Sequence, residues 1–231
     1  MRQPNDHSAV TKSASYLALL AAPITALVFM PATAVNSAGP QAVLASPESF
    51  AGIGDTAARS AALFTEAGKV LTSPRCVNCH PAGDRPLQGE TGRLHQPPVE
   101  RGVDGLGAAP MRCSNCHKAK NFDPAGLPGN PHWHLAPREM AWQGKTVGEI
   151  CAQIKDPARN GGRSLQQILT HLADDPLVGW AWAPGFGREP APDTQRQLAA
   201  LIEAGVSEES CRPCTLVRAP TQRSIILARR T

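Results

Sequence analysis

A five-residue motif that occurs twice constrains the fold of this chain more than any other feature. The two copies are Cys76-Val77-Asn78-Cys79-His80 and Cys113-Ser114-Asn115-Cys116-His117. On one helical turn, two cysteines three residues apart project towards the same face, where their sulfurs can form thioethers with the two vinyl groups of a haem. The adjacent histidine then reaches the iron as its proximal ligand. The sequence therefore predicts two haem c groups, with His80 and His117 as proximal ligands.

Two other interpretations of the paired cysteines explain less of the pattern. A zinc site of the form C-x-x-C…C-x-x-C is possible in principle, but it leaves the histidine of each copy unexplained. A redox-active C-x-x-C pair would not need a histidine in both copies either.

The N-terminal segment is typical of an exported protein. Arg2 and Lys12 precede an apolar stretch over residues 16–30, and Ala32-Thr33-Ala34 then gives a small-residue cleavage pattern. The stretch is short for a membrane span and Pro23 interrupts it. We therefore expect residues 1–34 to be a signal peptide and the mature protein to be periplasmic and not membrane-spanning. An uncleaved anchor is the alternative.

Glycine and proline indicate a chain rich in loops. With 20 glycines and 22 prolines, the two residue types make up nearly a fifth of the 231 residues, which favours irregular segments and short helices over long regular elements. Helical periodicity predicts a helix over residues 56–71. Capping boxes at Thr146 and Ser164 predict two more, and Asp193 is expected to cap a last one that Gly205 ends. The predicted fold class is mostly α, with little sheet.

Composition divides the chain into four regions. After the signal peptide, residues 35–55 are small and polar and read as a linker, and residues 56–211 form the predicted dihaem domain. Residues 212–231 form a basic tail, which carries much of the net charge of +4. No basic stripe is interleaved with aromatic residues, so nucleic acid is not an expected partner.

Each iron also needs a sixth ligand or an open position. The expected distal candidates are His95, His134 and Met140, because two histidines and a methionine fall within the stiff segment 131–140 and His95 lies between the motifs. His132 is a weaker candidate and His171 the weakest. The four tryptophans are expected to pack on the haems or in the core; they are Trp133, Trp142, Trp180 and Trp182.

Three cysteines lie outside the motifs. Cys151 lies in one predicted helix and Cys211 just past another, so a disulfide between them could staple the C-terminal half of an exported protein. A Cys211–Cys214 pair is the alternative. Cys214 is followed by Thr215 rather than histidine, so no third haem is predicted.

Several longer phrases resemble a bacterial family of small dihaem cytochrome c proteins labelled isoquinoline 1-oxidoreductase subunits. The resemblance covers about residues 60–211. It rests on residues 76–86, 131–137, 140–144, 149–153, 155–157, 159–163 and 187–192. The family label implies a partnership with a molybdenum hydroxylase whose electrons leave through haem. Nothing in this chain resembles a molybdopterin site, so hydroxylation is not implied for it.

The sequence thus predicts a periplasmic c-type cytochrome that carries electrons between a donor protein and an acceptor protein, with no catalytic residues of its own. One competing hypothesis is a dihaem peroxidase-like or small-molecule-oxidising enzyme with an open iron position, in which His132, His134 or Glu139 could serve as acid or base. A haem-based sensor or structural subunit is another.

Overall fold

The computed structural model describes residues 42–206, and 45% of them are helical. The α-helices of these residues are α1 (Thr56–Leu71), α2 (Pro74–Val77), α3 (Cys113–Cys116), α4 (Val147–Lys155), α5 (Leu165–Asp174), α6 (Pro176–Gly179) and α7 (Gln195–Gly205). Short 3-10 helices lie at Pro47–Phe50, Asp123–Ala125, Arg138–Met140, Pro157–Arg159 and Trp180–Trp182. One antiparallel pair, β1 (Leu87–Gln88) and β2 (Arg93–Leu94), is the sheet of the described residues. The prediction of a mostly α fold with little sheet is confirmed.

Helix α1 begins and ends where the sequence predicts. The side chain of Asp55 accepts a hydrogen bond from the N–H of Ala58 and caps the first turn. The apolar residues at helical spacing lie on the face that is buried; they are Leu63, Ala67, Val70 and Leu71.

Both predicted capping boxes are present. Thr146 and Glu149 exchange hydrogen bonds at the start of α4, and Ser164 and Gln167 do so at the start of α5. The cap of α7 differs from the prediction, because Thr194 and not Asp193 accepts a hydrogen bond from the N–H of Gln197. Asp193 has a φ of 55° and contacts the N-terminal segment instead.

Four helices enclose the core. Helix α1 packs against α7 and α4, and α5 packs against α7 and α4. The core residues of these helices include Leu71, Ile150, Ile154, Leu198, Leu201 and Ile202, all of which are fully buried. Burial of this apolar surface is the main favourable contribution to the folding of the bundle.

The beginning of the described chain is packed rather than a linker. Leu44 is buried in the core, its N–H donates to the carboxylate of Asp193 at 3.0 Å, and the N–H of Ala45 donates to Glu66 at 2.8 Å. For residues 42–50 the linker prediction is therefore wrong. Composition misses this because one leucine and two backbone N–H groups, rather than a periodic pattern, attach the segment.

Residues 78–140 form an irregular layer that holds the end of the first motif and all of the second, as their glycine and proline content predicts. The buried side chain of Arg101 holds separate loops of this layer together. It donates to the carbonyl oxygens of Ala136 and of Gly83, the latter at 3.2 Å. Because one guanidinium offers five donors, it can satisfy several loop carbonyls that no helix or sheet satisfies.

Candidate functional site

Both C-x-x-C-H motifs lie on helices of a single turn, as the spacing of their cysteines predicts. Helix α2 contains Cys76 and leads directly into Cys79 and His80, while α3 spans Cys113 to Cys116. The first motif is the more enclosed of the two, because Cys76 and Cys79 are both half-buried whereas Cys116 is exposed.

The His80 ring is fixed on two sides by residues of the segment 140–142. Its Nδ1 lies 2.8 Å from the carbonyl oxygen of Met140, and the indole of Trp142 stacks on the ring at 3.7 Å between centroids and 10° between planes. A carbonyl oxygen can only accept, so Nδ1 carries the proton and Nε2 keeps its lone pair. Burial lowers the pKa of His80 to about 4. The ring is therefore neutral and free to ligate a metal through Nε2.

The His117 ring has the same surroundings. Its Nδ1 lies 2.8 Å from the carbonyl oxygen of Pro128, and Trp133 stacks on it at 4.6 Å and 18°. Burial lowers the pKa of His117 as well. Both motif histidines thus donate from Nδ1 to a backbone carbonyl and pack on a tryptophan, which is the arrangement that orients histidine ligands in metal sites.

His95 lies close to His117. The two ring centroids are 6.0 Å apart with 67° between the planes, and Nδ1 of His95 is 2.9 Å from the carbonyl oxygen of Pro97. Each of the two imidazoles is therefore held by its Nδ1 and keeps Nε2 available.

A cavity of about 800 Å³ adjoins the first motif. Its volume lies in the range of small-molecule and cofactor sites. The motif contributes Cys76, Cys79 and His80 to its wall, and the apolar part of the wall comes from Leu71, Ile154, Ile168, Leu172, Leu177, Val178 and Leu198. The cavity therefore lies between the motif and the helical core.

Two buried arginines line this cavity with Nε donors that make no hydrogen bond, although Nε of Arg101 lies 3.8 Å from the carboxylate of Asp84. Arg75 and Arg101 are each 6% exposed, and the Nε atom of each is buried without a hydrogen bond, as is Nε1 of Trp142. Buried donors are normally paired, because an unpaired one loses its hydration without compensation. The cavity is therefore chemically suited to a largely apolar ligand that carries anionic or accepting groups.

The cysteines of the first motif are neutral thiols. Burial raises the pKa of Cys76 to about 12 and that of Cys79 to about 11, and burial also raises the pKa of Cys113. A reactive C-x-x-C pair requires thiolates, whose pKa is lowered by their surroundings. Within residues 42–206, no group of three or more His, Cys, Asp or Glu is placed to hold a metal ion.

The two motifs are neighbours. Cys113 of the second motif is close enough to Cys79 of the first to contribute to its raised pKa, after the effects of burial and of Arg75. A series of aromatic contacts also links them. Trp133, which stacks on His117, meets Trp180 edge to face at 5.0 Å, and Trp180 lines the cavity of the first motif.

The other residues singled out in the sequence lie in different positions. His134 and Met140 line the first cavity, but the backbone carbonyl of Met140 is the acceptor for Nδ1 of His80, which places Met140 behind that ring. His132 is exposed and is not among the lining residues. The fourth tryptophan, Trp182, packs against the core and donates to the carbonyl oxygen of Pro192.

Cys151 is buried and disulfide-bonded. Its partner lies outside the described residues, because the four motif cysteines are free thiols. Cys211 and Cys214 also lie outside them, as do the predicted signal peptide and the basic tail, so the pairing of Cys151 with Cys211 stays a prediction.

Sequence reasoning gave little weight to three residues that line the first cavity. Arg75 and Arg101 belong to no recognisable motif, and His171 is a single histidine on an amphipathic helix. The spacing of His171 from Asp175 could have drawn attention to this histidine in the sequence. An acceptor four residues after a histidine, at the end of a helix, lies beside the imidazole.

No protein-family model, curated protein or solved structure matches this chain. Among the helices of residues 42–206, none is both long and apolar enough to cross a membrane.

Proposed function

We propose that the chain is a dihaem c-type cytochrome that carries electrons, with one haem attached at each C-x-x-C-H motif. Cys76 and Cys79 would hold the first haem and Cys113 and Cys116 the second. The observation that carries the proposal is the repeated environment of His80 and His117, whose Nδ1 atoms each donate to a carbonyl oxygen at 2.8 Å. This bond leaves Nε2 of each ring available as the proximal ligand.

The residues of the first cavity suit a haem. A porphyrin is a large apolar body with two carboxylates, and the cavity combines an apolar wall with Nε donors on Arg75 and Arg101 that make no hydrogen bond. Thioether formation consumes the thiols and leaves neutral sulfur, so the enclosed position of Cys76 and Cys79 carries no buried charge after attachment. Iron supplies the one-electron chemistry, and the protein supplies binding, orientation and electrostatics.

The distance between His95 and His117 would allow both side chains to hold the iron of the second haem. A metal–imidazole nitrogen bond is about 2 Å long, and a ring centroid lies roughly 1 Å behind its nitrogen, so two imidazoles that hold one metal ion have centroids about 6 Å apart. The observed separation is 6.0 Å. If both histidines held the iron, no position would be left for peroxide or another substrate, which would favour electron transfer over catalysis.

The closeness of the motifs supports transfer between two haems within one chain. Cys113 contributes to the raised pKa of Cys79, after burial and Arg75, and the contacts of His117 with Trp133 and of Trp133 with Trp180 join the second motif to the first cavity. The two haems would supply the one-electron chemistry that links a donor protein to an acceptor protein.

The resemblance to isoquinoline 1-oxidoreductase subunits suggests the redox partner. In this proposal the electron donor is a molybdenum hydroxylase-type dehydrogenase, and the chain acts in the periplasm after removal of residues 1–34. The donor would be oxidised and this chain reduced, one electron for each haem.

Haem attachment is the first test. The protein purified from the periplasm should exceed the mass of its mature polypeptide by two haems, and acid-acetone should extract neither. A Cys76→Ala/Cys79→Ala variant should keep one haem, while the control Cys214→Ala, a cysteine outside both motifs, should keep both. A protein without covalent haem would refute the proposal.

The second test distinguishes an electron-transfer protein from an enzyme. In the oxidised protein we expect two low-spin irons by electron paramagnetic resonance (EPR), and no binding of cyanide in either oxidation state. A high-spin iron in the native protein that binds cyanide would favour the enzyme instead.

A further inference from the structure

His171 reaches the first cavity from the last turn of α5. Its ring lines the cavity together with Cys76, Cys79 and His80, and its side chain is only 27% exposed. Burial lowers the pKa of His171 despite the nearby carboxylate of Asp175.

The carboxylate of Asp175 fixes the orientation of the His171 ring. One of its oxygens, Oδ2, lies 3.0 Å from Nδ1 of His171. The other, Oδ1, accepts from the N–H of Leu177 at 2.7 Å and so caps α6. Because the cap holds the carboxylate in place, Nδ1 of His171 must donate to it, and Nε2 is left for the cavity.

Three other residues compete for the same role at the first motif. Met140 lies behind His80, because its carbonyl oxygen accepts from Nδ1 of that ring. His132 does not line the cavity. His134 lines it and is held by a backbone carbonyl, as His80 is, but that acceptor is only two residues away, whereas the acceptor of His171 is a carboxylate fixed by a helix cap. His171 alone among these residues combines a place in the cavity wall with a carboxylate partner. It also lies near enough to influence His80 electrostatically, although burial affects His80 more.

We infer that His171 is the sixth ligand of the iron at the first motif and that Asp175 is its positioning residue. This inference rests on the proposed haem attachment. It adds an iron ligand, His171, and a residue that sets the reduction potential of the first haem, Asp175. With His80 opposite, the first haem would have two histidine ligands. The Asp175 carboxylate would then hold the His171 imidazole, which in turn would bind the iron. In this carboxylate–histidine–metal arrangement the carboxylate raises the basicity of the ligand.

The carboxylate of Asp175 should affect a quantity that can be measured, the reduction potential of the first haem. A more basic imidazole stabilises Fe(III) over Fe(II), so Asp175 lowers the potential of the first haem. In Asp175→Asn the amide oxygen can still accept from the N–H of Leu177 and preserve the cap, but its NH2 group cannot accept from Nδ1 of His171. The potential of one haem should therefore rise while the other stays unchanged.

Asp174 offers a matched control. It is the preceding carboxylate at the same helix end, 54% exposed, and pairs with Arg196 at 3.2 Å rather than with a histidine. Asp174→Asn removes the same charge from the same region and should leave both potentials near those of the wild type. If Asp174→Asn shifted the potential as much as Asp175→Asn, the effect would be one of general charge and the role of Asp175 would be refuted.

The ligand itself is tested in the full-length protein, after its haem content has been measured. His171→Ala should retain two covalent haems and convert half of the haem from low spin to high spin by EPR, and added imidazole should restore the low-spin signal. His134→Ala should keep two low-spin haems. Conversion by His134→Ala and not by His171→Ala would overturn the inference.

A measurement on the wild type covers the case in which His171→Ala does not fold. The near-infrared magnetic circular dichroism of the oxidised protein distinguishes histidine from methionine as an axial ligand, and we expect two bis-histidine haems. A haem with a methionine ligand at the first motif would overturn the inference while leaving the proposed function intact. Absence of covalent haem, in contrast, would refute the proposed function itself.

Discussion

The contact between α1 and α4 at Gly68 gives a prediction whose magnitude can be worked out. Gly68 is buried in α1, and a Cβ added to it would lie 2.6 Å from one methyl of Val147 and 3.1 Å from the other. Carbon atoms in contact are normally about 3.5–4.0 Å apart, so the overlap is on the order of 1 Å. Val147 is β-branched and has one strongly preferred rotamer in a helix, so it cannot rotate out of the way.

Two opposing effects decide the result of Gly68→Ala. Overpacking a well-packed interface costs about 1–3 kcal/mol, whereas replacing glycine by alanine inside a helix gains about 1 kcal/mol. The free energy of unfolding should therefore fall by between about 0 and 2 kcal/mol. When Val147→Ala is already present the overlap is relieved, and Gly68→Ala should then stabilise by about 1 kcal/mol.

A double-mutant cycle measures the difference. Urea unfolding followed by circular dichroism should give a coupling free energy of about 1–3 kcal/mol between the two positions. With a denaturant slope of about 2–3 kcal/mol/M, this coupling shifts the unfolding midpoint by roughly 0.3–1.5 M. The reasoning is refuted if Gly68→Ala stabilises the protein equally with and without Val147. The test concerns the site as well, since α1 and α4 contribute Leu71 and Ile154 to the cavity wall.

Three further predictions concern the second motif, the N-terminal segment and the disulfide. His95→Ala should convert half of the haem to high spin by EPR, with the other half unaltered, because it removes the imidazole 6.0 Å from His117; an unchanged spectrum would exclude His95 as a ligand. Burial raises the pKa of Glu66, but its bonds with Lys69 and Ala45 outweigh burial and leave the pKa below 4.5, so the ion stabilises the contact above that pH and the stabilisation is lost as pH falls. Hydrogen exchange should show the Ala45 amide losing protection below pH 4.5 while the Ile150 amide keeps it; protection independent of pH would contradict this role. Non-reducing peptide mapping should link Cys151 to Cys211, and a link to Cys214 would refute that pairing.

Local sequence patterns were enough to identify most of the helices. The range of α1, the capping boxes of α4 and α5 and the single-turn motifs all depend on residues within four positions of each other. The hydrogen bonds that form a helix and its caps span that same distance, so the sequence states them directly. The cap of α7 was missed by one residue because Asp193 and Thr194 are both good cap residues, and only the long-range contact of Asp193 with Leu44 separates them.

What surrounds each motif histidine was decided by the tertiary structure. The acceptor of His80 is sixty residues away at Met140, and the partner of His117 at 6.0 Å is His95, in a loop without periodic pattern. The sequence limits the candidate ligands to a few histidines and methionines, but it cannot rank them. Their positions follow from the packing of the bundle and from loop contacts such as those of Arg101, which no local spacing encodes. The sequence alone therefore determined the two C-x-x-C-H motifs and the helical framework, because these are properties of neighbouring residues. The folded chain decided which residues face each motif, because that depends on the sum of many contacts between distant segments.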